Sequence, residues 1–222
     1  MSPYATHCGP LALAVSITDG PVLELGMGVF STPILHEICG NRLLVSVDTS
    51  PDWIVKFARF QKDNHHIRHV RDFKKLYDSI GLEWAVAFVD FDPLENRVSE
   101  IRRLADTAGI IVVHDTEWEV LADECERFSS QLWFSHQRPW TTMVSNQIDL
   151  TEHLKALIQT ETEHGSSGFR DSKYFVRCRK EDSKSVRVSD DRQGSVSSQQ
   201  RVEDVNVENS GDLFVRRSAH RR

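Results

Sequence analysis

Long apolar runs are missing from this chain of 222 residues: no stretch approaches the roughly 18 apolar positions that a membrane-spanning helix needs. No membrane partner is therefore expected. Cysteine is sparse, and Cys8, Cys39, Cys125 and Cys178 form no C-x-x-C spacing. That speaks against a thioredoxin-type motif, a zinc knuckle and a disulfide framework. The first ten residues lack a basic segment leading into an apolar one, so no secretory signal is expected and a reducing, cytoplasmic setting is. Gly-Lys-Ser/Thr does not occur, which speaks against a P-loop nucleotidase.

Basic charge is also in short supply over most of the chain. The net charge of -6 conceals two regimes: residues 1–160 hold 14 Lys and Arg against 22 Asp and Glu, whereas residues 161–222 hold 13 against 11. An acidic body is a poor binder of phosphate backbones, because such binding rests on Lys and Arg, so nucleic acid is not the expected partner. Residues 161–222 are rich in Ser, Gln, Arg and Asp, with scattered apolar positions. Such a composition buries too little surface to offset chain entropy, and a largely disordered tail follows a domain over residues 1–160. Residues 173–176 and 213–215 are short pieces able to form local structure or dock.

Within the body, apolar runs alternate with helical periodicity. Strands are expected over residues 21–25, 43–47, 67–70, 84–89 and 110–113. A helix opens at Ser31 or Thr32 before Pro33, and Gly40-Asn41 stops it. Another opens at Ser50-Pro51, and a third carries Val98, Ile101, Leu104 and Ala105 on one face. Non-alternating strands linked by helices imply a parallel sheet covered on both faces. Residues 132–134 and 141–144 are too close for a crossover helix and should pair antiparallel, before a last helix over residues 150–158. The expected fold is α/β: five parallel strands with a C-terminal antiparallel hairpin.

In open sheets of this kind, ligands bind beyond the carboxyl ends of the strands, where strand order reverses. Polar groups stand at each such end: Glu24-Leu-Gly26-Met-Gly28, Asp48, Asp72, Asp90 and His114-Asp115. Gly26 and Gly28 permit a sharp turn and close backbone approach. Ser31 occupies the last position of the G-x-G-x-x-G dinucleotide fingerprint, which counts against a nicotinamide-dependent oxidoreductase using the same turn. Asp48 lies 22 positions after Gly26, a distance suited to a carboxylate on ribose hydroxyls.

Residues 21–33, with Val45-Ser-Val-Asp48, Phe88-Val-Asp90 and Ile111-Val-Val-His-Asp115, resemble class I S-adenosylmethionine-dependent methyltransferases over roughly residues 10–148. The resemblance implies a Rossmann-like methyltransferase fold whose sheet ends in an antiparallel hairpin. It further implies S-adenosylmethionine as cofactor, with its methionine end on Glu24 and the Gly26–Gly28 backbone. Asp48 would take the ribose hydroxyls, and Asp72 and Phe73 the adenine. Asp90 would lie beside the methyl-transfer centre, with His114 as general base and a small-molecule oxygen or nitrogen as acceptor. Some O-methyltransferases hold a divalent metal such as Mg²⁺ at the fourth and fifth strand ends, for which Asp90, His114 and Asp115 are the corresponding set.

Plainer readings stand beside these. Asp48 also suits a cap on the next helix, and His114 a hydrogen-bonded strand-end histidine. His65, His66 and His69 are expected to be exposed. Asp92, Glu117 and Glu119 read as a solvated rim, and Trp118, Trp133 and Trp140 as packing residues or an acceptor wall. A methyltransferase-like protein without catalysis, serving as a binding module, is the alternative function.

Overall fold

The computed structural model describes residues 5–73 and 83–153, with three short stretches beyond them. Five strands run parallel: β1 (Val22–Leu25), β2 (Leu44–Asp48), β3 (His65–His69), β4 (Trp84–Val89) and β5 (Ala108–His114). β6 (Ser130–Phe134) and β7 (Thr141–Ser145) form the expected hairpin, and β7 pairs antiparallel with β5. Across the sheet the order is β3-β2-β1-β4-β5-β7-β6. The chain thus moves outward from β1 in one direction and returns to its other side at β4. The crevice between the ends of β1 and β4 is the topological switch point, where open α/β sheets take their ligands.

Three further strands, β8 (Phe175–Cys178), β9 (Asp204–Val207) and β10 (Leu213–Arg216), continue the sheet antiparallel from the β6 edge. β10 covers one of the segments singled out as able to dock, residues 213–215, and β8 overlaps the other, residues 173–176. The remainder of residues 161–222, and most of the helix expected over residues 150–158, lie outside the described residues.

Helices cover both faces. Because successive strand residues point to opposite sides, Leu23, Ala87 and Val89 face one core while Val22, Val86 and Phe88 face another. The first core is closed by α4 (Leu94–Leu104) through Ile101 and Leu104, and by α5 (Glu119–Cys125) through Leu121 and Cys125. The second is closed by α1 (Cys8–Ser16) through Leu11, Ala14 and Val15, and by α2 (Ser31–Ile38) through Leu35. α3 (Pro51–Phe57) links β2 to β3, with Pro51 at its start and Phe57 buried. Sequence periodicity missed α1, which contains Gly9 and Pro10, and α5, which spans only seven residues and places three acids among its apolar ones.

Two of the three β3 histidines, His65 and His66, depart from expectation. His65 is 2% exposed, because it pairs beside Leu44 at the start of β3 and turns inward. There its Nε2 lies 2.9 Å from Ser46 Oγ and its Nδ1 2.8 Å from His36 Nδ1. Burial, and then the charges of His36 and neighbouring groups, push its imidazole down to about 4. His69 is exposed, as expected, and His66 is intermediate.

Candidate active site

The turn after β1 is built by its glycines and the two acids around it. Gly26 takes φ 91°, a left-handed conformation, and a β-carbon there would meet the Asp90 carbonyl oxygen at 1.9 Å. The close approach at Gly26 is therefore to the end of β4. At Gly28 an added β-carbon would meet only the Ser31 hydroxyl, at 2.8 Å. Glu24 is fully buried beneath this turn. Thr32 donates to Glu24 Oε1 at 3.0 Å and accepts the Gly28 N–H at 3.1 Å, so the carboxyl shapes the turn through one hydroxyl. Glu24 Oε2 is buried with no hydrogen-bond partner. Burial, with Asp48's charge added, pushes the carboxyl up to about 7 against the pull of the Ser46, Ser31 and Thr32 hydroxyls.

Asp48 ties the neighbouring strand end to the same turn. Its Oδ2 accepts the Met27 N–H at 2.9 Å, and its Oδ1 accepts the Ser50 N–H at 2.7 Å, at the start of α3. The second bond is an Asx turn leading into α3, whose N-cap is Ser50, so Asp48 does not cap the helix itself. Each oxygen keeps a second acceptor position for further hydrogen bonds. Asp72 is exposed just beyond β3. Phe73 packs at 4.3 Å between ring centroids against Phe91 in the core.

At the ends of β4 and β5, charges interlock. Arg97, on the first turns of α4 and only 4% exposed, reaches Asp90 at 3.1 Å and Asp115 at 2.9 Å, and donates to the Phe91 carbonyl at 2.6 Å. Asp115 sits at φ 61°, which Asp tolerates better than most residues. Asp92 is 98% exposed on the rim, whereas Glu117 accepts the Trp140 N–H at 2.8 Å and ties the loop after β5 to β7.

His114 is buried between partners. Thr6 gives its hydroxyl hydrogen to the Pro139 carbonyl at 2.6 Å, so its 3.1 Å contact with His114 Nε2 needs an Nε2–H donor. Nδ1 then faces Asp90 Oδ2 at 3.2 Å and Asp115 Oδ1 at 3.5 Å. A bare lone pair there would oppose two carboxylates, and a positive charge removes the conflict. Burial alone would lower the imidazole's pKa, but Asp90 and Asp115 outweigh it and hold it above the usual histidine value. Asp90 is likewise held below its usual value, His114 and Arg97 overcoming burial.

Sequence reasoning missed Thr6, His7 and Arg97. His7 is 4% exposed, stacks edge-on to His114 at 4.8 Å, and neither ring nitrogen has a hydrogen-bond partner. Burial, with the charge of His114, pushes its imidazole down to about 4, so it stays neutral. The available signal was a lone His in front of an unrecognised helix. For Arg97 it was a cation one turn into a helix that follows two acids.

No protein-family model and no curated protein sequence matches this chain. Solved structures do. A protein provisionally named as an O-methyltransferase, from Klebsiella pneumoniae, matches with 13% identity and a TM-score of 0.51, over 66% of this chain and 81% of that one. Cofactor-bound Rv0187 from MTB matches with 19% identity and a TM-score of 0.50, over 67% and 82%. The match to WbdD, a bifunctional kinase-methyltransferase, spans 63% of this chain but 40% of that one, with 15% identity; its TM-score of 0.44 carries no argument. With the strand order, the antiparallel hairpin and the glycine turn at the switch point, these likenesses establish the fold: the chain has the Rossmann-like α/β fold of class I S-adenosylmethionine-dependent methyltransferases.

Proposed function

We propose that this protein binds S-adenosylmethionine and transfers its methyl group to an oxygen or nitrogen of a small-molecule acceptor. The observation that carries the reading is the convergence of Glu24, Asp48 and Asp90 on one glycine turn at the switch point between β1 and β4. The residues present suit the cofactor: Glu24 Oε2 is an orphaned buried acceptor, and both Asp48 oxygens retain acceptor capacity. Asp48 takes the ribose hydroxyls, while Glu24 and the Gly26–Gly28 backbone set the seat of the methionine end. Asp72 serves the adenine amino group and Phe73 backs the wall beside the ring. When bound, the cofactor supplies a methyl group on a sulfonium sulfur, an electrophile that needs an aligned acceptor. His114 is charged and has no lone pair to offer, so the acceptor's proton passes to the Asp90 carboxylate and from there to solvent.

A binding module without turnover is the second reading. It draws on Trp118 and Val120, which are 59% and 46% exposed on the loop and helix after β5. Labelled S-adenosylmethionine offered with phenols, amines and RNA separates the readings. Transfer to a phenol or amine that is lost in Asp90→Ala supports the first reading. Cofactor binding with no transfer to any class supports the second, and transfer to RNA alone would overturn the small-molecule assignment.

A further inference from the structure

Five buried side-chain polar atoms lack a hydrogen-bond partner among the described residues, and three of them meet at one place: both ring nitrogens of His7 and Nδ1 of His114. Beside them lies the Asp90 carboxylate. One donor atom from each of His7, Asp90 and His114 falls within 4.8 Å of the other two. The two His7 nitrogens are buried without any partner among the described residues, which is costly, and Nδ1 of His114 has only the Asp90 carboxylate in front of it; two imidazoles around one carboxylate are the donor set of a cation site.

We infer that His7, Asp90 and His114 form a binding site for a divalent transition-metal ion, with zinc the best-matched ion. Two imidazoles and one carboxylate suit a borderline ion such as Zn²⁺, while Mg²⁺ prefers oxygen donors throughout. The surroundings are those of a ligand set. His114 donates its Nε2–H to Thr6, itself held by the Pro139 carbonyl, which leaves Nδ1 directed at Asp90. Arg97 holds the other oxygen of Asp90. The Asp90–His114 separation of 3.2 Å is already that of two ligands on tetrahedral zinc with bonds of about 2.0 Å. His7 completes the set by moving inward by at most about 1.5 Å. Metal binding displaces a proton from Nδ1 of His114 to solvent.

Asp115 stands outside this set: its Oδ1 is 3.5 Å from His114 Nδ1, but the cluster whose donor atoms all lie within 4.8 Å of one another is His7, Asp90 and His114. The site also differs in consequence from one built only of strand ends. His7 belongs to the N-terminal segment, so the ion would staple α1 to the ends of β4 and β5.

The test uses the full chain treated with a chelator and titrated separately with Zn²⁺, Co²⁺ and Mg²⁺. One equivalent of Zn²⁺ should bind and raise the melting temperature, Mg²⁺ should do neither, and Co²⁺ should give visible bands without a thiolate charge-transfer feature. His7→Gln, checked for folding by circular dichroism, should weaken Zn²⁺ binding at least a hundredfold. Asp115→Asn should leave it within a few-fold. Failure of the native chain to bind Zn²⁺, a thiolate signature with Co²⁺, or unchanged affinity in folded His7→Gln would each overturn the assignment. None of these readouts depends on cofactor binding or methyl transfer.

Discussion

At Glu24 a single buried carboxyl controls a measurable pH response. Its folded pKa of about 7 lies above the value of 4.5 expected when exposed. Between those values the folded state holds a proton that the unfolded state has lost, so stability is fully present below about 4.5 and falls as pH rises toward 7. The loss is on the order of 3 kcal/mol. Denaturant unfolding of the native chain and Glu24→Gln across this range should show curves that separate with rising pH; parallel curves would refute the burial argument. Gly26 supplies a second contrast. Gly26→Ala strains a positive φ and collides with the Asp90 carbonyl, whereas Gly28→Ala asks only that the Ser31 hydroxyl rotate. Thermal melts should show a large loss for the first, more than about 2 kcal/mol, and a small one for the second. Residue identities and spacing made Glu24, Gly26, Asp48 and Asp90 legible in sequence. What sequence could not show was that Gly26 also meets the β4 backbone at Asp90, because that approach depends on strand order and not on local spacing.

Between elements, Arg97 is the principal clasp. It joins α4 to the ends of β4 and β5 through Asp90, Asp115 and the Phe91 carbonyl. Arg97→Met would leave two adjacent carboxylates with His114 as their remaining cation, at a cost of about 3–5 kcal/mol by chemical denaturation. A loss no larger than that of an exposed arginine would show the clasp to be idle. Leu11, fully buried on α1, should cost about 2–5 kcal/mol when truncated to Ala. Strand identities could be read from sequence because buried parallel strands are apolar without alternation. α1 could not, since its Gly9-Pro10 start mimics a loop and its unbroken apolar run, residues 11–15, shows no polar face to mark a helical period. With α1 unseen, His7 and Thr6 had no place in the site.

Over the whole molecule, the order β3-β2-β1-β4-β5-β7-β6 brings acids far apart in sequence to one crevice. The parallel portion and its terminal hairpin followed from hydrophobic pattern and loop length. The extension by β8, β9 and β10 did not, because four-residue strands in a polar context carry almost no periodicity. We expect residues 1–160 to suffice for folding. A chain ending there should melt cooperatively, and loss of the cooperative transition would make the added strands part of the domain. Among the described residues no helix is long and apolar enough to cross a membrane.

The proposed cofactor seat lies at the β1–β4 switch point, with Asp48 as its ribose contact. Calorimetric titration of the full chain with S-adenosylhomocysteine tests it most directly. S-adenosylhomocysteine should fill one site with micromolar affinity, weakened at least tenfold, or by about 1.4 kcal/mol, in Asp48→Ala that still melts cooperatively. Affinity no better than millimolar in the native chain, or micromolar affinity untouched by Asp48→Ala, would contradict it.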